Sequence, residues 1–457
     1  MGPPVNQPTD IYVISDIHLG GDPGGESEPS FQMCPPANQA LLAEFIDSLT
    51  TSDSNNECHL VIAGDLVDFL AEKEFQAYTP TQTDALTKFN AIVGRTQIVW
   101  DSLSAFVRAG GSLHILLGNH DIELSYPMLR QRLSGLLGQG RVEFLYDNEA
   151  FTLGPVLIEH GNRSDAWNAV PHGALRRMRS QMSRGARTDP FDPMPGSRLV
   201  VEVINKLKQQ YSFVDLLKPE KAGVLPILAA LGAGDLSSVW KAAKRFWNKQ
   251  AVDYDEDYIP TDETYIAAVP DADQELYNLA QDIAAGGDST QIGDFSLEGL
   301  RAKVGETIRG LRRRGLREAL LKTESSHLST FKVEDEKREY LKSATTSLES
   351  GFDVVVYGHT HLPKRIDIKE GKRYLNCGTW ADLMRVPKAV WGDDPQQADK
   401  VLTAFVNDLE SDNVQRWRKT VATYAKIELR GSAVQADVYF ADSHVKVSDT
   451  EMERRFC

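Results

Sequence analysis

The sequence predicts an α/β fold interrupted by one long helical insertion, and three observations lead there. Over the first 165 residues short β-branched runs alternate with helical patterns, the arrangement that builds sheets flanked by helices. From about residue 169 to about 348 the patterns are helical and strand-like runs are scarce. Strand texture then resumes at Asp353. The expected division is a core in two parts, residues 1–168 and 349–457, around a mainly helical cap at residues 169–348.

The elements follow in chain order. Ile11–Ser15 (IYVIS) reads as a strand, Ala40–Leu49 as a helix, and His59–Ala63 (HLVIA) as a second strand. One long helix is expected over Asp84–Ala109, followed by strands at Ser112–Leu117, Val142–Phe144 and Pro155–Glu159. Beyond Ala169, Arg176, Arg177, Arg179, Arg184 and Arg187 fall within twelve positions, and the turn-rich DPFDPMPGS follows. An acidic run, Asp253–Asp257, lies between helical stretches. The returning strands are Asp353–Tyr357, Arg365–Ile368, Arg373–Leu375, Thr423–Leu429 and Ala433–Phe440.

Composition narrows the function classes. The 457 residues are 41% hydrophobic and 25% charged, which fits a globular protein. Fifty basic against 65 acidic residues give a net charge of −15, so nucleic acid ranks low as a partner. Four scattered cysteines (Cys34, Cys58, Cys377, Cys457) suggest neither a zinc ribbon nor a disulfide framework, and a reducing cytoplasm is expected. The first residues, MGPPVNQPTD, lack the basic and apolar regions of a signal peptide. The apolar stretch Gly223–Gly232 is short of the roughly 20 residues that cross a bilayer.

Five polar motifs each follow an apolar strand. Asp16 and His18 follow IYVIS, Gly64-Asp65 follows HLVIA, and Gly118-Asn119-His120-Asp121 follows SLHILL. His160-Gly161 follows PVLIE, and Gly358-His359-Thr360-His361 follows DVVVY. In an open α/β sheet ligands bind beyond the carboxyl ends of the strands, so five strands can deliver these side chains to one crevice. Asp16 and His18 are two apart, as are His359 and His361, and in an extended segment each pair would face one side. Imidazole and carboxylate without thiolate suit Mn, Fe or Zn rather than Ca or Mg. Two such ions ~3.5–4 Å apart can clamp an in-line phosphoryl displacement, and a hydroxide between them would be the nucleophile.

The blocks Asp16-Ile17-His18, Gly64-Asp65-Leu66-Val67-Asp68, Gly118-Asn119-His120-Asp121, His160 and Gly358-His359-Thr360-His361 occur in that order. With them the sequence resembles the calcineurin-like metallophosphoesterase superfamily, over roughly residues 10–165 and 350–445. The resemblance implies a four-layer αββα sandwich and two divalent ions, manganese ahead of iron or zinc. Asp16, His18, Asp65 and His361 would hold one ion, and Asp65, Asn119, His160 and His359 the other. His120 would act on the leaving group or on phosphate charge, with Asp121 orienting its ring. GDLVDF, His160-Gly161-Asn162 and the run GHTHLPKRIDI through YLNCGTW are similar to the UDP-2,3-diacylglucosamine hydrolase branch. That branch also has a helical lid between these motifs, although a shorter one, and carries Arg where His120 stands.

The function expected is hydrolysis of a phosphoester or pyrophosphate bond in a phosphorylated small molecule or a lipid-linked substrate, with specificity set by the cap. Asn162 and Arg163 are expected to bind substrate, since an Arg beside the site can fork onto phosphate oxygens, and Asp68 to support a ligand from behind. His59, His114, His172, His327 and His444 read as structural, with His172 the nearest to the site. The cluster Arg309, Arg312, Arg313, Arg314 and Arg317 reads as a solvated helix face. Leu225–Leu231 with Trp240, Phe246 and Trp247 reads as the core of the insertion, with peripheral membrane contact as the sharper alternative. A nuclease and a non-catalytic scaffold binding partners through the insertion are the competing functions. The acidic balance weighs against the first and the complete ligand set against the second.

Overall fold

Strands whose two faces are both covered need apolar side chains on both, so runs such as HLVIA and DVVVY belong in the interior of a layered fold. In the computed structural model, which describes residues 7–25, 29–50, 56–138, 140–219, 223–231 and 315–456, they lie there. β1 (Thr9–Ile14), β2 (Glu57–Ala63), β3 (Ser112–Leu116) and β4 (Arg141–Leu145) run parallel in one sheet. β5 (Phe151–Leu153) and β6 (Val156–Ile158) form an antiparallel hairpin in a second sheet. β8 (Val354–Tyr357), β9 (Pro363–Lys369) and β10 (Lys372–Cys377) extend that sheet to the order β5-β6-β8-β10-β9. β13 (Thr423–Arg430) pairs antiparallel with β1 and β14 (Ala433–Phe440) antiparallel with β13, giving β14-β13-β1-β2-β3-β4.

Residue alternation decides what packs where. Ile11 and Val13 of β1 and Val61 and Ala63 of β2 meet Val156, Ile158, Val354, Val356 and Leu375 of the other sheet in one buried cluster. Ile14, Leu60 and Ile62 point the other way, into a cluster with Phe45, Phe89, Trp100, Leu103 and Phe106. Those five belong to helices Pro36–Thr50, Gln82–Arg95 and Gln97–Arg108. On the far side, Tyr340, Ala344 and Leu348 of helix Arg338–Glu349 cover Val355, Tyr357 and Tyr374. The order helix, sheet, sheet, helix is the αββα sandwich.

One expectation is corrected. The long helix over Asp84–Ala109 is two helices broken at Thr96, whose hydroxyl donates to Ile92 O at 2.8 Å and accepts from Trp100 Nε1 at 3.0 Å. A buried threonine that satisfies its neighbours' polar groups stabilises the interruption. Within the insertion, expected to be mainly helical, β7 (Leu217–Lys218) pairs in parallel with β11 (Asp382–Arg385), which also pairs with β12 (Lys419–Thr420). Buried clusters cross the expected boundaries at 169 and 348. Val170, Leu175, Met178 and Met182 join the first sheet's helical layer, and Phe331 and Val333 join the core between the sheets. A third cluster unites Phe213, Leu217, Ile227, Leu228 and Leu316 with Met384, Leu402, Phe405 and Leu409. Met384, Leu402, Phe405 and Leu409, assigned by sequence to the catalytic core, thus share a core with the insertion.

Ile227 and Leu228 are buried in that cluster. Asp253–Asp257, Trp240, Phe246, Trp247, Arg309, Arg312, Arg313 and Arg314 lie outside the described residues. Arg317 Nε is 3.4 Å from Asp399. No helix of the described residues is long and apolar enough to cross a membrane. Among the described residues Cys34, Cys58 and Cys377 form no disulfide.

Candidate metal centre

The polar motifs occupy the turns that leave β1, β2, β3, β6 and β8 at their carboxyl ends. These turns are not extended, and the pairing of residues two apart has a different origin from the one expected. Asp16, His18, Asp65, His359 and His361 all have φ between 50° and 69°. They make up five of the nine non-glycine residues with positive φ among the described residues. Such backbone costs of order 1–3 kcal/mol per residue and persists where the surroundings enforce it. Here the amides of Ile17 and His18 both donate to Asp65 O at 3.0 Å, the His359 amide donates to Asp16 Oδ2 at 2.8 Å, and the Thr379 hydroxyl donates to Asp16 O at 2.7 Å. Asn376 Nδ2 donates to Gly358 O at 2.7 Å.

Two glycines let the turns close on one another. A Cβ on Gly64, whose φ is +86°, would lie 2.6 Å from the His160 ring, and one on Gly118 would lie 2.0 Å from Asp65 Oδ1. At Gly118 close approach is what requires glycine.

The donor atoms converge. Asp16, His18 and His361 offer atoms within 4.8 Å of one another, as do Asp16, Asp65 and His160. His18 Nε2 and His361 Nε2 are 3.2 Å apart, and His361 Nε2 is 3.4 Å from Asp16 Oδ1. Asp65 Oδ2 lies 3.3 Å from His160 Nε2 and 3.9 Å from His18 Nε2, between the two groups. Asn119 Oδ1 is 3.2 Å from His160 Nε2. His160 Nδ1 lies 2.8 Å from Ala63 O, which leaves Nε2 facing inward.

These residues fit divalent ions. Asp16 Oδ1 is buried without a hydrogen-bond partner, a costly state for a carboxylate oxygen unless a cation completes it. Burial, then Lys218 and His18, keep the His361 imidazole well below its ordinary pKa, so it is neutral, as a metal ligand must be. Burial pushes Asp65 up, but His160, His120 and His18 outweigh it and hold the carboxyl well below the usual range. Lys218, missed in the sequence, is buried on β7.

The remaining predicted residues separate by contact. His120 Nδ1 is 3.2 Å from Asp68 Oδ1, leaving Nε2 as the free end of the ring. Burial opposes charging this imidazole, yet Asp68 and Asp65 raise it to about 9. Asp68 Oδ2 also lies 3.3 Å from His18 Nδ1, and Oδ1 accepts from Leu70 N. Asp121, expected to orient His120, instead accepts from Gly118 N and Leu66 N at 2.8 Å each and pins two ligand turns together. Burial and the charge of Asp65 push its carboxyl up to about 8. The partner of His120 is Asp68.

Asn162 donates to Asn168 O at 2.9 Å, and Arg163 Nη1 lies 3.3 Å from Glu159 Oε2. Neither joins the ligand cluster, and both line a small open cleft beside His160, with His172 and Asn148. His359 Nε2 is 3.1 Å from Asp165 Oδ2, a carboxylate that no motif in the sequence marks.

Residues 9–221 match the family model described as calcineurin-like phosphoesterase, a range that carries Asp16, His18, Asp65, Asn119, His120 and His160. Among solved structures the chain is similar to one described as a dimetal phosphatase from Danio rerio, at 11% identity and a TM-score of 0.33, covering 98% of this chain and 99% of that one. No curated protein matches the sequence. Residues 9–221 are thus similar to a calcineurin-like phosphoesterase domain.

Proposed function

We propose that the protein hydrolyses a phosphoester or pyrophosphate bond in a phosphorylated small molecule or lipid-linked substrate, at a dinuclear centre whose access the inserted segment governs. The observation that carries this is the position of Asp65, whose carboxylate lies between His18 and His160 and so can serve two ions at once. Asp16, His18 and His361 would complete one ion, and Asn119, His160 and His359 the other. When bound, the two ions, manganese ahead of iron or zinc, supply Lewis acidity and the hydroxide nucleophile.

The chain's own groups do the rest. His120, charged through Asp68, presents Nε2 as a donor for a phosphate oxygen or for the leaving group. Asp121 keeps the Asp65 and Asn119 turns in register through its two amide contacts. Asn162 and Arg163 line the cavity where the part of the substrate beyond the phosphate would lie, and Arg163 must exchange Glu159 for substrate to act there. The lipid-sugar pyrophosphatase branch is supported by the run from Gly358 to Trp380, of which Asn376 and Thr379 tie the ligand turns.

The test is turnover of bis(p-nitrophenyl) phosphate, p-nitrophenyl phosphate and a nucleotide-sugar pyrophosphate by protein stripped with chelator and reloaded with Mn. Activity that returns with metal supports the reading. Metal-loaded protein inert to the whole panel overturns it.

A further inference from the structure

A histidine can ligate through either ring nitrogen, and the atom it uses is set by what the other nitrogen touches. His359 Nε2 is taken by Asp165 Oδ2 at 3.1 Å. That carboxylate is itself fixed, since its Oδ2 accepts from Asn168 Nδ2 at 2.8 Å and its Oδ1 from Trp167 N at 2.9 Å. The main chain repeats the constraint, with Asp165 N donating to Asn162 O at 3.0 Å and Asn168 N to Asp165 O at 2.9 Å.

The same turn is where the inserted segment leaves the catalytic core. The Gly196 amide, in helix Pro195–Leu199, donates to Trp167 O at 2.8 Å. A Cβ on Gly196 would lie 2.0 Å from Asn168 Oδ1, so the helix sits directly against the residue that braces Asp165. An unbroken chain of contacts therefore runs from an inserted helix through Trp167 and Asn168 to Asp165 and His359.

We propose that Asp165 is a positioning residue that holds His359 with its proton on Nε2, presents Nδ1 to the second ion, and ties that ion's affinity to the seating of the inserted segment. The proposal rests on the reading of His359 as a ligand in a two-ion centre. It makes the two positions unequal: the ion near His361 owes nothing to Asp165, and the ion near His160 depends on it.

The experiment is calorimetric titration of the metal-free full-length protein with Mn²⁺, together with bound-metal content and ¹⁵N spectra of its histidine rings. Wild type should bind two ions with His359 as the Nε2–H tautomer. Asp165→Ala should leave one affinity unchanged and weaken the other about 10- to 100-fold, and Asp165→Asn, which keeps an oxygen to accept from Nε2–H, should fall between. Two ions bound by Asp165→Ala with wild-type affinities overturns the proposal. An Nδ1–H tautomer of His359 in the wild type overturns it without any variant. Wild-type protein that binds fewer than two ions overturns the two-ion reading and the proposal together, which separates that failure from a failure of Asp165 alone.

Discussion

The two groups of metal-facing side chains are built by different means. Asp16, His18 and His361 stand on left-handed turns tied to one another by hydrogen bonds that cross from sheet to sheet, such as the His359 amide donating to Asp16 Oδ2. The insertion reaches that group through the charge of Lys218. In the other group, His160 is held by Ala63 O within the sandwich, whereas His359 is held by Asp165 at the insertion's threshold. In the proposed centre the first position is a product of the two sheets, and the second is completed by a segment whose shape is set elsewhere. Asp65 lies within reach of both.

The largest expected effect erases the distinction. Asp65→Asn removes the charge both groups share, so both ions and turnover should fall to background in bound-metal content and phosphodiesterase assays; a variant that still held two ions would show that the groups do not share it. Next in size is His120→Ala, which should lower kcat by about 10²- to 10⁴-fold, the usual contribution of a general acid. Metal content should stay at two ions per chain, because His120 belongs to neither group, and a missing ion would place it in one. Smallest is Asp68→Asn. It weakens the support of His18 Nδ1, so Mn²⁺ titration should show about 10-fold weaker binding at the first position. Equal weakening at both would collapse the comparison.

Much of this centre was legible because strands end where apolar runs end, and the turn that follows must carry the ligands. That logic singled out Asp16, His18, Asp65, Asn119, His160, His359 and His361 as candidate ligands, and it predicted the αββα sandwich that the structure has. It misjudged the backbone, since a period of two suggests extended chain and left-handed turns produce the same convergence. Asp165 escaped because a lone carboxylate five residues after His160 has no spacing to distinguish it, and Asp121 drew attention owed to Asp68 because neighbours in sequence look like partners. β7, β11 and β12 have two to four residues each and carry no readable period. The cluster joining Phe213 to Phe405 depends on contacts nearly two hundred positions apart, which no local pattern encodes.

Helix Arg338–Glu349 belongs to the inserted stretch by sequence, yet it is the outer layer of the second sheet. The insertion therefore cannot be exchanged between relatives as a cassette. A swap at residues 169 and 348 would strip the cover from Val355, Tyr357 and Tyr374, at about 1.5–3 kcal/mol for each large apolar side chain returned to water. New specificities grafted here must leave helix Arg338–Glu349 in place.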